Sequence, residues 1–292
     1  MKPAAFEYLA PRSVEEAVAL LAERGEDAKV IAGGQSLVPM MAFRLATPAA
    51  LVDLNGVSEL DHARVDRDTL VLGATARHRS VQELAGLRER CAMVAEAVGL
   101  IGHPPIRNRG TAGGSIAHAD PAAEWPALLL ALDGEVDAMG PGGRRTIAAA
   151  DLFRTYFTTA LAPDEILTEV RLPLPAGAVG SAFVEVAQRH GDFAVAGAGA
   201  LMIVADDGSV ADARLVLIGV RDTAVRSVAA ETILRGASPT DPVLDDATNA
   251  IRSEIDPVSD VHGSSAYRRR VAIAVARRAV TLARDRAHAA VA

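Results

Sequence analysis

The chain has 292 residues, a formal net charge of −7 and a single cysteine, Cys91. Its length exceeds that of most single domains and predicts two, and the negative balance argues against nucleic acid, whose binding draws on clustered lysine and arginine. One cysteine excludes an internal disulfide, points to a reducing compartment, and excludes an iron–sulfur cluster held by this chain alone. Apolar runs fall short of the roughly 20 residues of a membrane span, and Met1 to Glu7 does not read as a signal peptide, so the expected location is the cytoplasm.

In chain order, Ser13-Val14-Glu15-Glu16 has capping-box spacing. Val14, Ala17, Val18 and Leu21 then recur at helical spacing until Gly25 stops the run. Val30-Ile31, Leu51 to Leu54 and Thr69 to Gly73 read as strands. Ser80-Val81-Gln82-Glu83 is a second capping box and predicts the start of a short helix. A helix is predicted from Cys91 to Ile101, ended by Gly102-His103-Pro104-Pro105, because proline cannot continue it. Another runs from Trp125 to Leu132. A strand–turn–strand pattern surrounds Gly140 to Gly143, and Glu165 to Leu172 reads as a strand. Pro173-Leu174-Pro175-Ala176-Gly177 reads as a linker, so the domain boundary is placed there: 1–175 and 176–292. Beyond it, three strands (Ala182–Val186, Ala198–Val204 and Ala213–Val220) predict an antiparallel sheet by sequential pairing. Helical patterns follow near 223–235, 240–252 and 264–288. Strands followed by helices give an α+β layer structure.

Two glycine-rich loops about eighty residues apart carry the functional signal: Ile31-Ala32-Gly33-Gly34-Gln35-Ser36-Leu37 and Gly110-Thr111-Ala112-Gly113-Gly114-Ser115. Glycine permits positive φ and lets backbone N–H groups approach an anion with no Cβ in the way. Either loop alone reads as a surface turn; together they point to a nucleotide-cofactor cradle. Neither fits G-x-G-x-x-G or the phosphate loop ending in Gly-Lys-Ser/Thr, so a Rossmann site and phosphoryl transfer are unsupported. The seven histidines contain no H-E-x-x-H pair, and His118 with Asp120 is too slight a signal for a metal. No general acid–base pair is evident. The chain reads as one that holds a cofactor carrying the chemistry. Trp125 reads as packing, and His103 and His118 as ordinary loop residues. Arg268-Arg269-Arg270 with Arg277-Arg278 reads as a solvated or interface-facing helix side.

Ala32 to Met41 resembles the first flavin-binding signature of the FAD-binding (medium) subunits of molybdenum hydroxylases, the family of aerobic carbon monoxide dehydrogenase and of the xanthine, nicotine and caffeine dehydrogenases. Ile106 to Ser115 resembles the second signature, and Asp120-Pro121-Ala122-Ala123-Glu124-Trp125-Pro126-Ala127 its continuation. The likeness extends through Glu165-Ile166-Leu167 and Arg189 to Ala194, and ends in Tyr267-Arg268-Arg269-Arg270, so essentially the whole chain is covered.

The resemblance implies a two-lobed α+β FAD domain of the vanillyl-alcohol oxidase type, then a domain with a three-stranded antiparallel sheet on a helix bundle. It implies a cofactor site at Lys29, Ile31, Ala32, Gly33, Gly34, Gln35, Ser36, Leu37, Ile101, Gly102, Thr111, Ala112, Gly113, Gly114, Ser115, Glu124, Leu167 and Phe193. The amides of residues 32–36 and 111–115 would hold the FAD diphosphate, with hydroxyl contacts from Thr111 and Ser115. Glu124 would accept hydrogen bonds from the ribityl chain, and Lys29 would stand toward the adenosine end. Ile101 and Gly102 would lie along the isoalloxazine, Leu167 near the adenine, and Phe193 over one flavin face. It further implies a large molybdopterin subunit, a small subunit with two [2Fe–2S] clusters, a dimer of heterotrimers, and electron transfer through this FAD to an external acceptor. Gln35 stands where carbon monoxide dehydrogenases often have histidine, and Ser115 to Ala119 replaces an asparagine-rich run. Both lean toward an aromatic heterocycle or an aldehyde as substrate. A stand-alone flavoprotein oxidase or reductase and a non-enzymatic nucleotide-binding protein remain the competing readings.

Overall fold

A computed structural model describes residues 2–177 and 179–291. Strand β1 (Glu7–Leu9) leads to helix α1 (Val14–Arg24). The Ser13 hydroxyl accepts the Glu16 amide at 3.1 Å, as the capping box predicts, whereas the Glu16 carboxylate takes the Arg12 amide at 2.7 Å. Val14, Ala17, Val18 and Leu21 are the buried stripe, and Gly25 ends the helix at φ +60°. β2 (Ala28–Ile31) runs into the first glycine loop, followed by α2 (Leu37–Ala42) and β3 (Ala50–Asp53). The three strands form a parallel sheet in the order β1-β3-β2, with α1 packed over it.

β4 (Ala63–Asp66) and β5 (Thr69–Gly73) open the second lobe. Its helices are α3 (His78–Gln82), α4 (Leu87–Arg90), α5 (Ala92–Leu100), α6 (Pro104–Arg107), α7 (Ala112–His118) and α8 (Glu124–Ala131). β6 (Glu135–Gly140), β7 (Gly143–Ala148), α9 (Ala149–Leu152), β8 (Phe153–Thr155), β9 (Thr158–Thr159) and β10 (Ile166–Pro173) complete it. The antiparallel order is β4-β5-β10-β6-β7, with β8 and β9 as a separate hairpin.

Two local expectations are corrected here. Ser80 lies inside α3 and does not open a helix. The chain turns helical earlier, where the His78 amide is fixed on the Gly110 carbonyl at 3.0 Å. The second glycine stretch is a loop only as far as Thr111. Its hydroxyl accepts the Gly114 amide at 3.0 Å and starts α7, so Gly113 and Gly114 are helical. Gly113 packs directly on the end of β5, since a Cβ there would lie 2.6 Å from Ala74 Cα.

After Pro173 come β11 (Val179–Ala187), β12 (Ala194–Val204), β13 (Val210–Ile218) and β14 (Val225–Arg226), antiparallel in that order. The sheet therefore has four strands where three were expected. Two residues are too few to give a periodic signal; β14 is held through Arg226, which clasps Glu231 at 2.9 and 2.8 Å and pairs with Asp133. Helices α10 (Val228–Leu234), α11 (Asp241–Ala250) and α12 (Ser265–Val291) follow.

β12 shows the period-2 alternation of a doubly covered strand. Ala196, Ala198, Ala200, Met202 and Val204 join the helix-side core, whereas Leu201 belongs to the core of the first domain. Gly199 lets α5 come close, for a Cβ there would sit 2.9 Å from Met93 Sδ. The arginine cluster on α12 is not uniformly a solvated or interface-facing side: Arg270 and Arg278 are exposed, Arg269 and Arg277 are half-buried and Arg268 is inside. Arg268 is buried and donates to the Val195 carbonyl at 2.7 Å and to Asp260, while Arg269 donates to the carbonyls of Arg252 and Ile255.

Candidate functional site

The two glycine loops meet. A Cβ on Gly33 would lie 2.4 Å from the Arg109 carbonyl oxygen and 2.7 Å from Gly110 Cα, so only a hydrogen fits between the two backbones. Gly34 has φ +71°, the left-handed region that favours glycine. The first loop leaves the C-terminal end of β2, and Asn55 follows the C-terminal end of the neighbouring β3. Asn55 Nδ2 donates to the Ala32 carbonyl at 2.8 Å, and Asn55 Oδ1 accepts from Arg77, which also donates to the Arg109 carbonyl. The Ala112 amide closes on the Ala76 carbonyl at 3.0 Å, and Gln35 Nε2 on the Gly33 carbonyl at 2.8 Å. Among the described residues, no backbone acceptor takes the amides of Gln35, Ser36, Leu37 or Gly113. Free N–H groups held on two abutting loops are suited to an anion with several acceptor oxygens.

The remaining expected residues lie on several elements. Lys29 is exposed on β2 and Ile31 is half-buried at its end. Ile101 and Gly102 form the turn after α5, where Gly102 has φ +51°. Arg107 donates to both their carbonyls, at 3.0 and 2.9 Å, and fixes that turn. A Cβ on Gly191 would lie 3.0 Å from the Gly102 carbonyl carbon, so the turn carrying Phe193 rests against it. Phe193 itself is 62% exposed. Leu167 is not brought to the loops: it lies in the core on β10, opposite Ala138.

Glu124 opens α8 and is buried. Burial, aided by the charge of Glu185 on β11, pushes its carboxyl up to about 8. Burial alone raises Glu185 to about 7, and its Oε2 is buried with no hydrogen-bond partner. Both carboxyls are therefore far easier to protonate than ordinary glutamates, Glu124 the more so. Asn55, Arg77 and Glu185 had no place in the sequence reading. Glu185 left a trace as a lone charge in the apolar run Phe183-Val184-Glu185-Val186, whereas Asn55 and Arg77 sit among other polar residues and left none.

Residues 4–175 match the family described as the FAD binding domain in molybdopterin dehydrogenase, and residues 181–283 the CO dehydrogenase flavoprotein C-terminal domain. The chain belongs to the FAD-binding medium subunits of the molybdenum hydroxylases. This medium subunit is 42% identical to the 6-hydroxypseudooxynicotine dehydrogenase complex subunit alpha of Paenarthrobacter nicotinovorans, over 98% of this chain and 97% of that one. It is 38% identical to the caffeine dehydrogenase subunit beta of Pseudomonas sp. (strain CBB1), over 98% and 97%. Among solved structures, a carbon monoxide dehydrogenase from Hydrogenophaga pseudoflava superimposes with a TM-score of 0.95 at 39% identity, covering 98% of this chain and 99% of that chain.

The medium subunit's own residues are compatible with the anionic part of FAD: loop amides without backbone acceptors are held together by the close approach at Gly33. Among the described residues no three His, Cys, Asp or Glu side chains gather as a metal site, and no helix is long and apolar enough to cross a membrane.

Proposed function

We propose that this medium subunit carries FAD between its two glycine loops and relays electrons within a heterotrimeric molybdenum hydroxylase. The observation that carries this reading is the contact of Gly33 with Arg109 and Gly110, which brings the free amides of Gln35, Ser36 and Leu37 up to the stretch that carries the free Gly113 amide. When bound, FAD supplies an electron store that takes electrons from one-electron carriers and passes them to an external acceptor.

The chain's own residues then have defined tasks. The amides of residues 32–36 and, within 111–115, that of Gly113 hold the diphosphate, with Ile31 and Leu37 flanking the first set; the amides of Ala112, Gly114 and Ser115 are already taken by Ala76 and Thr111. The hydroxyls of Thr111 and Ser115 assist, and Thr111 also caps α7. Glu124 receives the ribityl hydroxyls and Lys29 faces the adenosine end; Leu167, expected near the adenine, lies in the core away from the loops and is given no contact. Ile101 and Gly102, pinned by Arg107, lie along the isoalloxazine, and Phe193 covers one of its faces from the second domain.

The partners in this reading are a large molybdopterin subunit and a small [2Fe–2S] subunit, arranged as a dimer of heterotrimers in the cytoplasm. The first 175 residues form an FAD domain of the vanillyl-alcohol oxidase type, and residues 176–292 a second domain resting on it. The leaning toward an aromatic heterocycle or an aldehyde as substrate rests on Gln35 and on the Ser115 to Ala119 stretch.

Acid precipitation of the purified chain is expected to release one free FAD per chain. Release of FMN alone, or flavin retained covalently in the pellet, would overturn the cofactor assignment. Co-expression with the two partner subunits should give a complex that reduces dyes with substrate, whereas the isolated chain should not. Steady turnover by the isolated chain would favour a stand-alone flavoprotein.

A further inference from the structure

We propose that Arg77 and Asn55 form a clamp that sets the spacing of the two glycine loops and places a guanidinium charge beside the diphosphate. The inference rests on the FAD reading above and adds two residues that no signature contains.

Four groups stand in series. The Ala32 carbonyl, at the start of the first loop, accepts from Asn55 Nδ2 at 2.8 Å. Asn55 Oδ1 accepts from one terminal nitrogen of Arg77, and the other donates to the Arg109 carbonyl, just before the second loop. Asn55 cannot be flipped in this arrangement. Its Nδ2 faces two acceptors, the Ala32 carbonyl and Asp53 Oδ1, while its Oδ1 faces a donor; exchanging them would oppose acceptor to acceptor and donor to donor. The Asn55 amide is fixed on Asp53 Oδ1 at 2.9 Å, which anchors this end of the clamp to β3. Arg77 is the residue before α3 and forms an isolated bridge with Thr111, which anchors the other end to the second loop.

The charge of Arg77 is uncompensated at contact range. Among the described residues no carboxylate lies within salt-bridge distance of it, and Asp61 and Asp53 act only from farther away. Burial and the neighbouring Arg109 charge both depress its proton affinity. A guanidinium held near a second guanidinium, with one terminal nitrogen on the Asn55 side chain, the other on the Arg109 carbonyl and no anion in contact, leaves a local positive field beside the junction of the two loops. An anion there gains from that field and from the free amides.

The test is fluorescence titration of the full chain, stripped of flavin, with FAD and with riboflavin, which lacks the diphosphate. Arg77→Met and Asn55→Ala are expected to weaken FAD on the order of tenfold to a hundredfold, the range of one or two charge-assisted hydrogen bonds. Riboflavin affinity should be unchanged in both. Arg77→Lys, which keeps charge but not the two-acceptor fork, should regain part of the loss and retain more of the wild-type salt dependence than Arg77→Met. Equal weakening of FAD and riboflavin would mean a general structural defect and would overturn the clamp, as would wild-type FAD affinity in both variants. Failure of the wild-type chain to bind FAD would remove the cofactor reading and the clamp with it.

Discussion

Arg286 on α12 and Glu96 on α5 form a two-point ion pair across 190 residues, with Nη2 to Oε1 at 2.6 Å and Nη1 to Oε2 at 3.2 Å. Glu96 Oε2 also accepts the Phe183 amide of β11 at 3.0 Å, and Arg286 donates to the Ser181 carbonyl. One carboxylate therefore ties together a helix of the first domain, the first strand of the second and the last helix. Glu96→Ala leaves an amide and a half-buried guanidinium without their acceptor. The pair is partly exposed, so the expected loss is about 1–3 kcal/mol rather than that of a fully buried pair. Urea unfolding should show the drop, with Glu96→Gln losing less. An unchanged midpoint for Glu96→Ala would show that the domain junction does not depend on it.

Gly33→Ala should suffice to damage the cradle. Its Cβ would meet the Arg109 carbonyl at 2.4 Å, and that backbone cannot move without carrying the second loop with it. FAD affinity is expected to fall at least about tenfold, equivalent to about 1.4 kcal/mol. Gly114→Asp should act similarly: its Cβ would lie 2.7 Å from Thr111 Oγ1, and its charge would face the diphosphate. Gly142→Asp is the control, because it has open space around it and no positive φ; Gly143, at φ +101°, would be strained by any side chain. Wild-type titration curves for both loop variants would reduce the loops to ordinary turns.

The buried carboxyls predict a pH dependence of known sign. Glu124, raised to about 8, and Glu185, raised to about 7, bind protons more tightly folded than unfolded. Their contribution is fully present below the unfolded carboxyl range near 4.5 and is lost as pH rises through the folded values. The FAD-free chain should therefore lose stability from about pH 5 to pH 8, at up to about 1.4 kcal/mol per pH unit per carboxyl. Thermal midpoints measured across that range should flatten in Glu124→Gln. An equally steep profile in the variant would mean that other groups control it.

His78 acts in the opposite sense. Burial lowers it to about 3, with the charges of Arg107 and Arg77 adding to the effect, so the ring is neutral. Its Nδ1 accepts the indole N–H of the fully buried Trp125 at 3.0 Å. Stability from this ring is present above the unfolded value near 6.5 and is lost as pH falls toward 3. His78→Phe strands the indole N–H and should cost about 1–3 kcal/mol at neutral pH, while removing part of the acid sensitivity. Chemical denaturation at pH 7 and at pH 5 separates the two effects; identical losses at both would contradict the neutral-ring assignment.

Local signals were readable and long-range ones were not. The Ser13 cap, the stripe from Val14 to Leu21 and the stop at Gly25 all lie within one helix, and each appears where periodicity places it. The glycine loops were visible because glycine is rare enough in pairs to stand out. What joins them was hidden, since Asn55 and Arg77 are 23 and 32 residues from the carbonyls they bind. The box at Ser80 misled because the partner that fixes His78 comes from the second loop, outside any local window. Arg268 departs from the solvated or interface-facing side read for its cluster for the same reason: helical spacing cannot show that it ends against Val195.

The strand Ala194–Val204 has consequences for how such a chain can diversify. Its alternate residues serve two cores, so it is a shared wall between the halves. With Gly199 pressed on Met93, and Gly180 of the adjoining β11 pressed on the backbone of Ala283, the sheet tolerates added volume at neither point. The second half is therefore not a portable module. Exchanging it between relatives with different partners requires its donor's α5 to travel with it, and adaptation to a new assembly is confined to the loops and the outer helix faces that this wall leaves alone.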